Sequence, residues 1–170
     1  MEYKHRIADK LLAKKMESKG AILIEGPKWC GKTTTAEQQA ASILYMDNPA
    51  SLETNLQMAE IDPSVLLEGK APRLVDEWQL APKLWDAIRF EVDHRREVGQ
   101  FILTGSAVPA DEKDMHHSGT GRFSWLTMRP MSLYESGESN GKVSLASLFE
   151  TPSKIVATNQ LKIEDLAYLI

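Results

Sequence analysis

Apolar positions in this chain change their spacing several times, and each change marks an element. Over 6–16, Ile7, Leu11 and Leu12 recur at helical spacing between Lys10, Lys14 and Lys15, which predicts an amphipathic helix stopped at Ser18-Lys19-Gly20. Ala21-Ile22-Leu23-Ile24-Glu25 is an unbroken apolar run, too short for a helix and rich in β-branched residues, so it predicts a strand buried on both faces. No helix breaker occurs from 31 to 42, and Ala36, Ala40 and Ala41 favour a helix there. A second strand is predicted at 43–46, ended by Asp47-Asn48-Pro49. Leu52, Leu56 and Ala59 then make the apolar face of a short helix capped by Ser51 or Asn48. Val65-Leu66-Leu67 is too short to assign.

Residues 72–77 predict a third strand that ends in two carboxylates. Pro82 can open a helix whose buried stripe is Leu84, Trp85, Ile88 and Val92, with Arg89 spaced to pair with Asp93. A fourth strand follows at 101–104, closed by Gly105-Ser106, and a fifth at 123–128. The stretch 109–121 is polar and reads as a loop, and 135–140 is rich in turn residues. Two weak helical patterns surround 143–149 and 163–169. Strands that alternate with helices imply an α/β fold, a parallel sheet with helices on both faces.

Composition narrows the function classes. The chain has 170 residues, with 42% hydrophobic and 26% charged positions, a globular balance with one core's worth of chain. Its formal net charge is −4, which argues against a dedicated binder of duplex DNA but leaves a local basic patch open. A single cysteine cannot form an internal disulfide and fits a reducing compartment. No apolar run approaches the roughly 20 residues that span a bilayer, and the first ten residues lack a signal-peptide core, so the expected location is cytoplasmic.

The strongest chemical signal is Gly26-Pro27-Lys28-Trp29-Cys30-Gly31-Lys32-Thr33-Thr34, which satisfies G-x-x-x-x-G-K-[ST] between a predicted strand and a predicted helix. Glycines let the backbone wrap a phosphate with its N–H groups turned inward. The helix that follows aims its positive end at the same phosphate. Lys32 supplies a point charge for the β and γ phosphates, and Thr33 a hydroxyl for Mg²⁺. Trp29 can stack on a base or partner, or pack the loop against a neighbouring element. Cys30 is either a thiol activated by the helix end or a small residue that fills the loop.

Leu74-Val75-Asp76-Glu77 puts two acids at the carboxyl end of a strand, where parallel sheets bind ligands. Asp76 can hold the water shell of Mg²⁺, and Glu77, directed to the other side of the strand, can orient a water for attack on the γ-phosphate. Thr104-Gly105-Ser106 closes the next strand, and Ser106 (or Thr104) can hold the attacking water and report the γ-phosphate.

Taken in order, these pieces resemble the N-terminal ATPase domain of bacterial and archaeal AAA-type ATPases that carry a C-terminal domain of unknown function. The resemblance is carried by 20–33, Leu74-Val75-Asp76-Glu77-Trp78-Gln79, Leu103-Thr104-Gly105-Ser106-Ala107, Gly119-Thr120-Gly121-Arg122 and 128–137. It implies a P-loop fold with strand order 5-1-4-3-2, ATP and Mg²⁺ as ligands, and Asp76 and Glu77 in the metal and water-activating roles. Lys32, Glu77, Ser106 and Arg122 are then the catalytic set, and Gly26 to Thr34 the nucleotide cradle, with Thr33 and Asp76 on the metal. Arg122 takes the place where such proteins offer an arginine to a neighbouring subunit, which implies a homo-oligomer; as a residue alone it reads equally as a surface arginine. The resemblance also implies an ATPase core over 1–135, and over 136–170 the start of a lid or linker that leads to a further domain. Two functions stay open: an ATPase coupled to an unknown partner, and a nucleotide-binding interaction module with negligible hydrolysis. Glu77 after Asp76 disfavours a small-molecule kinase.

Overall fold

The computed structural model of the chain describes residues 2–105, 119–150, 162, 164 and 165. Two compact units divide it: 8–130, and 1–7 together with 131–170. The elements run α1 Ile7–Met16, β1 Ala21–Glu25, α2 Lys32–Glu37, β2 Ser42–Tyr45, α3 Leu52–Ile61, β3 Arg73–Asp76, α4 Lys83–Arg95, β4 Phe101–Thr104, β5 Phe123–Thr127, α5 Leu133–Ser136 and α6 Leu145–Glu150. The five strands form one parallel sheet in the order β2-β3-β4-β1-β5, the expected 5-1-4-3-2 read from the other edge.

Period-two alternation splits the core in two. Ala21, Leu23, Val75, Phe101, Leu103 and Phe123 turn to the face covered by Leu84, Trp85, Ile88 and Val92 of α4. Ile22, Ile24, Leu74, Ile102 and Leu126 turn to the other face, against Ala8 and Leu12 of α1 and Ala36 of α2. Strands buried on both sides read as unbroken apolar runs for this reason. Among the described residues no helix is long and apolar enough to cross a membrane.

Several expectations shift. In α1 the buried stripe is Ala8 and Leu12, while Ile7 and Leu11 are about half exposed. The predicted helix over 31–42 ends at Glu37, because Ala41 and Ser42 must turn their N–H groups onto Pro72 O to start β2 beside β3. Ser51 sits at the N-cap of α3 without a side-chain capping bond; its hydroxyl accepts from Asn55 Nδ2 instead. Residues Pro63–Leu67 form a 3-10 helix capped by Asp62. The loop reading over 109–121 lies outside the described residues up to 118, as do 163 and 166–169 of the last predicted helix.

In the smaller unit, Ser132 and Glu135 form a capping box at the start of α5. Glu135 also accepts from Arg6 Nε at 3.1 Å and from the backbone N–H of Ile7 at 2.8 Å. Burial by itself would raise the Glu135 pKa, but the N–H groups of Ser132 and Ile7, the Ser132 hydroxyl and Arg6 outweigh it and hold the carboxyl at about 2.

Candidate functional site

The carboxyl ends of β1, β3 and β4 lie side by side, and the sequence motifs meet there. Gly26 leaves β1 with φ 155°, and a Cβ on it would come within 2.2 Å of Met128 O, so only glycine passes this point. Cys30 then turns inward, 5% exposed, with its thiol 3.8 Å from Met128 O. It fills the base of the loop. Gly31, at φ 94°, is the N-cap of α2. Lys32 is buried, and its ammonium donates to Gly26 O and Pro27 O, both at 2.9 Å. The loop is thus held closed by its own lysine. Thr34 is exposed, as are Pro27 and Lys28.

Trp29 does not pack the loop against a neighbour. It is 93% exposed in a left-handed backbone conformation, φ 64°, with Lys28 Nζ 5.8 Å from its ring. Cys30 occupies the inward position instead, which leaves the indole directed to solvent.

Register places the acid. Asp76 lies opposite Thr104 on β4, and residues in register on parallel strands share a face. Both fall on the side that α2 covers. Asp76 Oδ1 therefore accepts from Thr104 Oγ1 at 2.5 Å and from Thr33 Oγ1 at 2.8 Å. These two bonds join the phosphate loop, β3 and the tip of β4. Burial raises the Asp76 pKa; the two threonine hydroxyls pull it back, and the charges of Glu77 and Asp47 raise it further. Nearby, Tyr45 at the end of β2 donates to Glu37 at 2.6 Å, and that bond with burial pushes its pKa up to about 12.

Asp76 and Thr33 present hard oxygen donors, and among the described residues the carboxylate is bonded to two hydroxyls and to no cation. That chemistry fits a divalent cation such as Mg²⁺. Among the described residues no group of three or more His, Cys, Asp or Glu could hold a metal without further ligands. Mg²⁺ bound beside phosphates needs only one or two protein ligands.

Glu77 departs from its expected place. The strand stops at Asp76, and Glu77 adopts φ 52°, ψ 42°, so it does not continue to the other side of the strand. Its neighbour explains this. In an extended strand Trp78 would share the face of Leu74, yet Trp78 packs with Val75 and lies 5.2 Å from Trp85. One left-handed residue reverses the parity. Glu77 Oε2 then accepts from Gln79 Nε2. Gln79 stands in the acidic motif, but strand periodicity assigned it no role.

Arg122 precedes β5, whose first residue pairs with the first residue of β1. It lies at the amino-terminal end of the strands, the opposite end from its own phosphate loop, one strand length or about 15 Å away. There Arg122 Nε donates to Asp93 Oδ1 at 2.7 Å and holds that carboxyl below its usual range. Asp93 also meets Arg89 at 3.4 Å, the spacing expected on α4. Ser106 lies outside the described residues.

Residues 18–137 match the AAA domain family. The chain belongs to that family. Its phosphate loop, both acids, the β4 tip and Arg122 all fall inside the matched segment. Among solved structures, the AAA domain is similar to C. elegans PCH-2 at 14% identity and a TM-score of 0.42, over 92% of this chain and 48% of that one. The chain thus spans about half the length of that protein. No curated protein matches the chain.

Proposed function

We propose that this AAA domain binds ATP with Mg²⁺ at 26–34 and hydrolyses it, coupling the change to a partner through a further domain of the type the resemblance implies. The observation that supports this is the bridge from Thr33 through Asp76 to Thr104, which gathers loop, metal ligand and strand tip in one place. On binding, Lys32 exchanges the carbonyls of Gly26 and Pro27 for β and γ phosphate oxygens, and the loop N–H groups cradle the phosphates. Thr33 and Asp76 would hold Mg²⁺, which would neutralise phosphate charge. Glu77 takes a proton from a water aligned with the γ-phosphorus. As the new O–P bond forms, the bond to the bridging oxygen breaks, and ADP and phosphate leave. Thr104 and Ser106 register the γ-phosphate. Arg122 acts on a neighbouring copy's nucleotide, which makes the working unit a homo-oligomer. Residues 136–170 begin a lid or linker.

ATP titration and phosphate release on wild type, Lys32→Ala and Glu77→Gln test the reading. Lys32→Ala is expected to lose ATP binding. Glu77→Gln is expected to bind at least as tightly while kcat falls by about 100-fold, because it removes only the group that acts on water. Equal titration curves for wild type and Lys32→Ala would overturn the site. Tight binding with no phosphate release by wild type would leave a nucleotide-dependent docking module.

A further inference from the structure

Glu77 sits on a turn and not on a strand, so no ladder of backbone bonds fixes its side chain. The left-handed backbone at φ 52° is imposed by Trp78, which must enter the core beside Trp85. Something else must aim the carboxylate. Gln79 Nε2 donates to Glu77 Oε2. A carboxylate only accepts, so the amide nitrogen faces it and the amide oxygen turns the other way. That oxygen, Gln79 Oε1, is buried and receives no hydrogen bond from the described residues. It presses against Gly105, where a Cβ would lie 2.1 Å from it. Gly105 directly follows Thr104, the residue bonded to Asp76. The Gln79 amide therefore spans from Glu77 to the tip of β4. Burying an amide oxygen without a partner costs stability, a cost that a role for the amide at this site would offset.

We propose that Gln79 is a positioning residue that holds the Glu77 carboxylate for its action on water, and that position 105 is glycine to admit the Gln79 amide. This role rests on the proposed hydrolysis through Glu77. It also explains a glycine whose φ lies outside the left-handed region: a backbone hydrogen is all the space beside the amide allows.

The test uses the full chain in single-turnover phosphate release and ATP titration. Its variants are Gln79→Ala, Glu77→Gln, Gly105→Ala, and the doubles that combine Gln79→Ala with each of the other two. Gln79→Ala is expected to lower kcat about 10- to 100-fold with KM and Kd for ATP within about 2-fold. In the Glu77→Gln background it should cost no more than about 2-fold further, because its only route of action is already gone. The Cβ of Gly105→Ala meets the end of a flexible side chain, so its thermal midpoint should stay near wild type while kcat falls as in Gln79→Ala. In Gln79→Ala protein the same Gly105→Ala change should add no further loss. Losses that multiply in either double variant overturn the role of Gln79 alone, as does a kcat loss matched by an equal loss of ATP affinity. Absence of phosphate release by wild type above the Lys32→Ala background overturns the hydrolysis by Glu77 and the role of Gln79 together.

Discussion

Glu135 offers a perturbation whose size can be worked from the structure. Its carboxylate accepts from the Ile7 N–H at 2.8 Å, Arg6 Nε at 3.1 Å, and the Ser132 N–H and hydroxyl at 2.8 Å each. It is held at about 2 against an ordinary 4.5, and its side chain is 8% exposed. At about 1.4 kcal/mol per pH unit that gap corresponds to about 3 kcal/mol. Water and salt that reach the neighbouring exposed atoms reduce it to about 2 kcal/mol. Because the folded pKa is depressed, the stabilisation is fully present above 4.5 and is lost as pH falls from 4.5 through about 2. Glu135→Gln keeps the shape but removes the charge. The expected outcome is amide hydrogen exchange at Ile7 and Ser132 about 30-fold faster than in wild type at pH 6, the factor that about 2 kcal/mol gives. Measured at matched pH, the difference should shrink steadily toward pH 2 as wild-type Glu135 protonates. Equal protection at pH 6, or a difference that does not change between pH 6 and pH 2.5, would refute the assignment of this stability to the carboxylate charge.

Three further outcomes follow from the site. Asp76→Asn should raise the thermal midpoint of the nucleotide-free protein, since it removes a buried charge, and should abolish the effect of Mg²⁺ on ATP titrations. Gly26→Ala should destabilise by about 2–4 kcal/mol in urea titrations, because its Cβ would meet the backbone oxygen of Met128, which has no side-chain freedom to yield. Arg122→Ala should lower turnover with little change in ATP affinity, and mixing it with Glu77→Gln should restore part of the activity; specific activity that stays flat on dilution, with no rescue, leaves Arg122 as the surface partner of Asp93.

The layered core was legible residue by residue. Ala21 to Ile24 and Phe101 to Leu103 are apolar at every position, and only a strand covered on both faces needs that. The turn from β1 into α2 was legible too, because Gly26 and Gly31 answer local demands for positive φ that glycine meets without strain. Helix ends were less so. Nothing local stops α2 at Glu37; the stop comes from β2, which must begin where Pro72 O can receive it. The same holds for Trp29 and Cys30, neighbours of similar apolar character, one turned to solvent and one beneath the loop because of where Met128 passes.

By itself the sequence determined the alternation of strand and helix, the loop behind β1 and the acids behind β3, since each depends on spacing along a few neighbouring residues. Only the tertiary structure decided what those groups touch. Asp76 meets Thr104 because β3 and β4 pair in one particular register, and Thr33 because α2 covers that face. Glu77 turns left-handed because Trp78 has its place beside Trp85, a residue on another element. Gln79 and Gly105, 26 positions apart in number, meet because β3 and β4 end side by side. Period and propensity describe one segment at a time, and contacts between segments depend on register, parity and the room left by a missing Cβ.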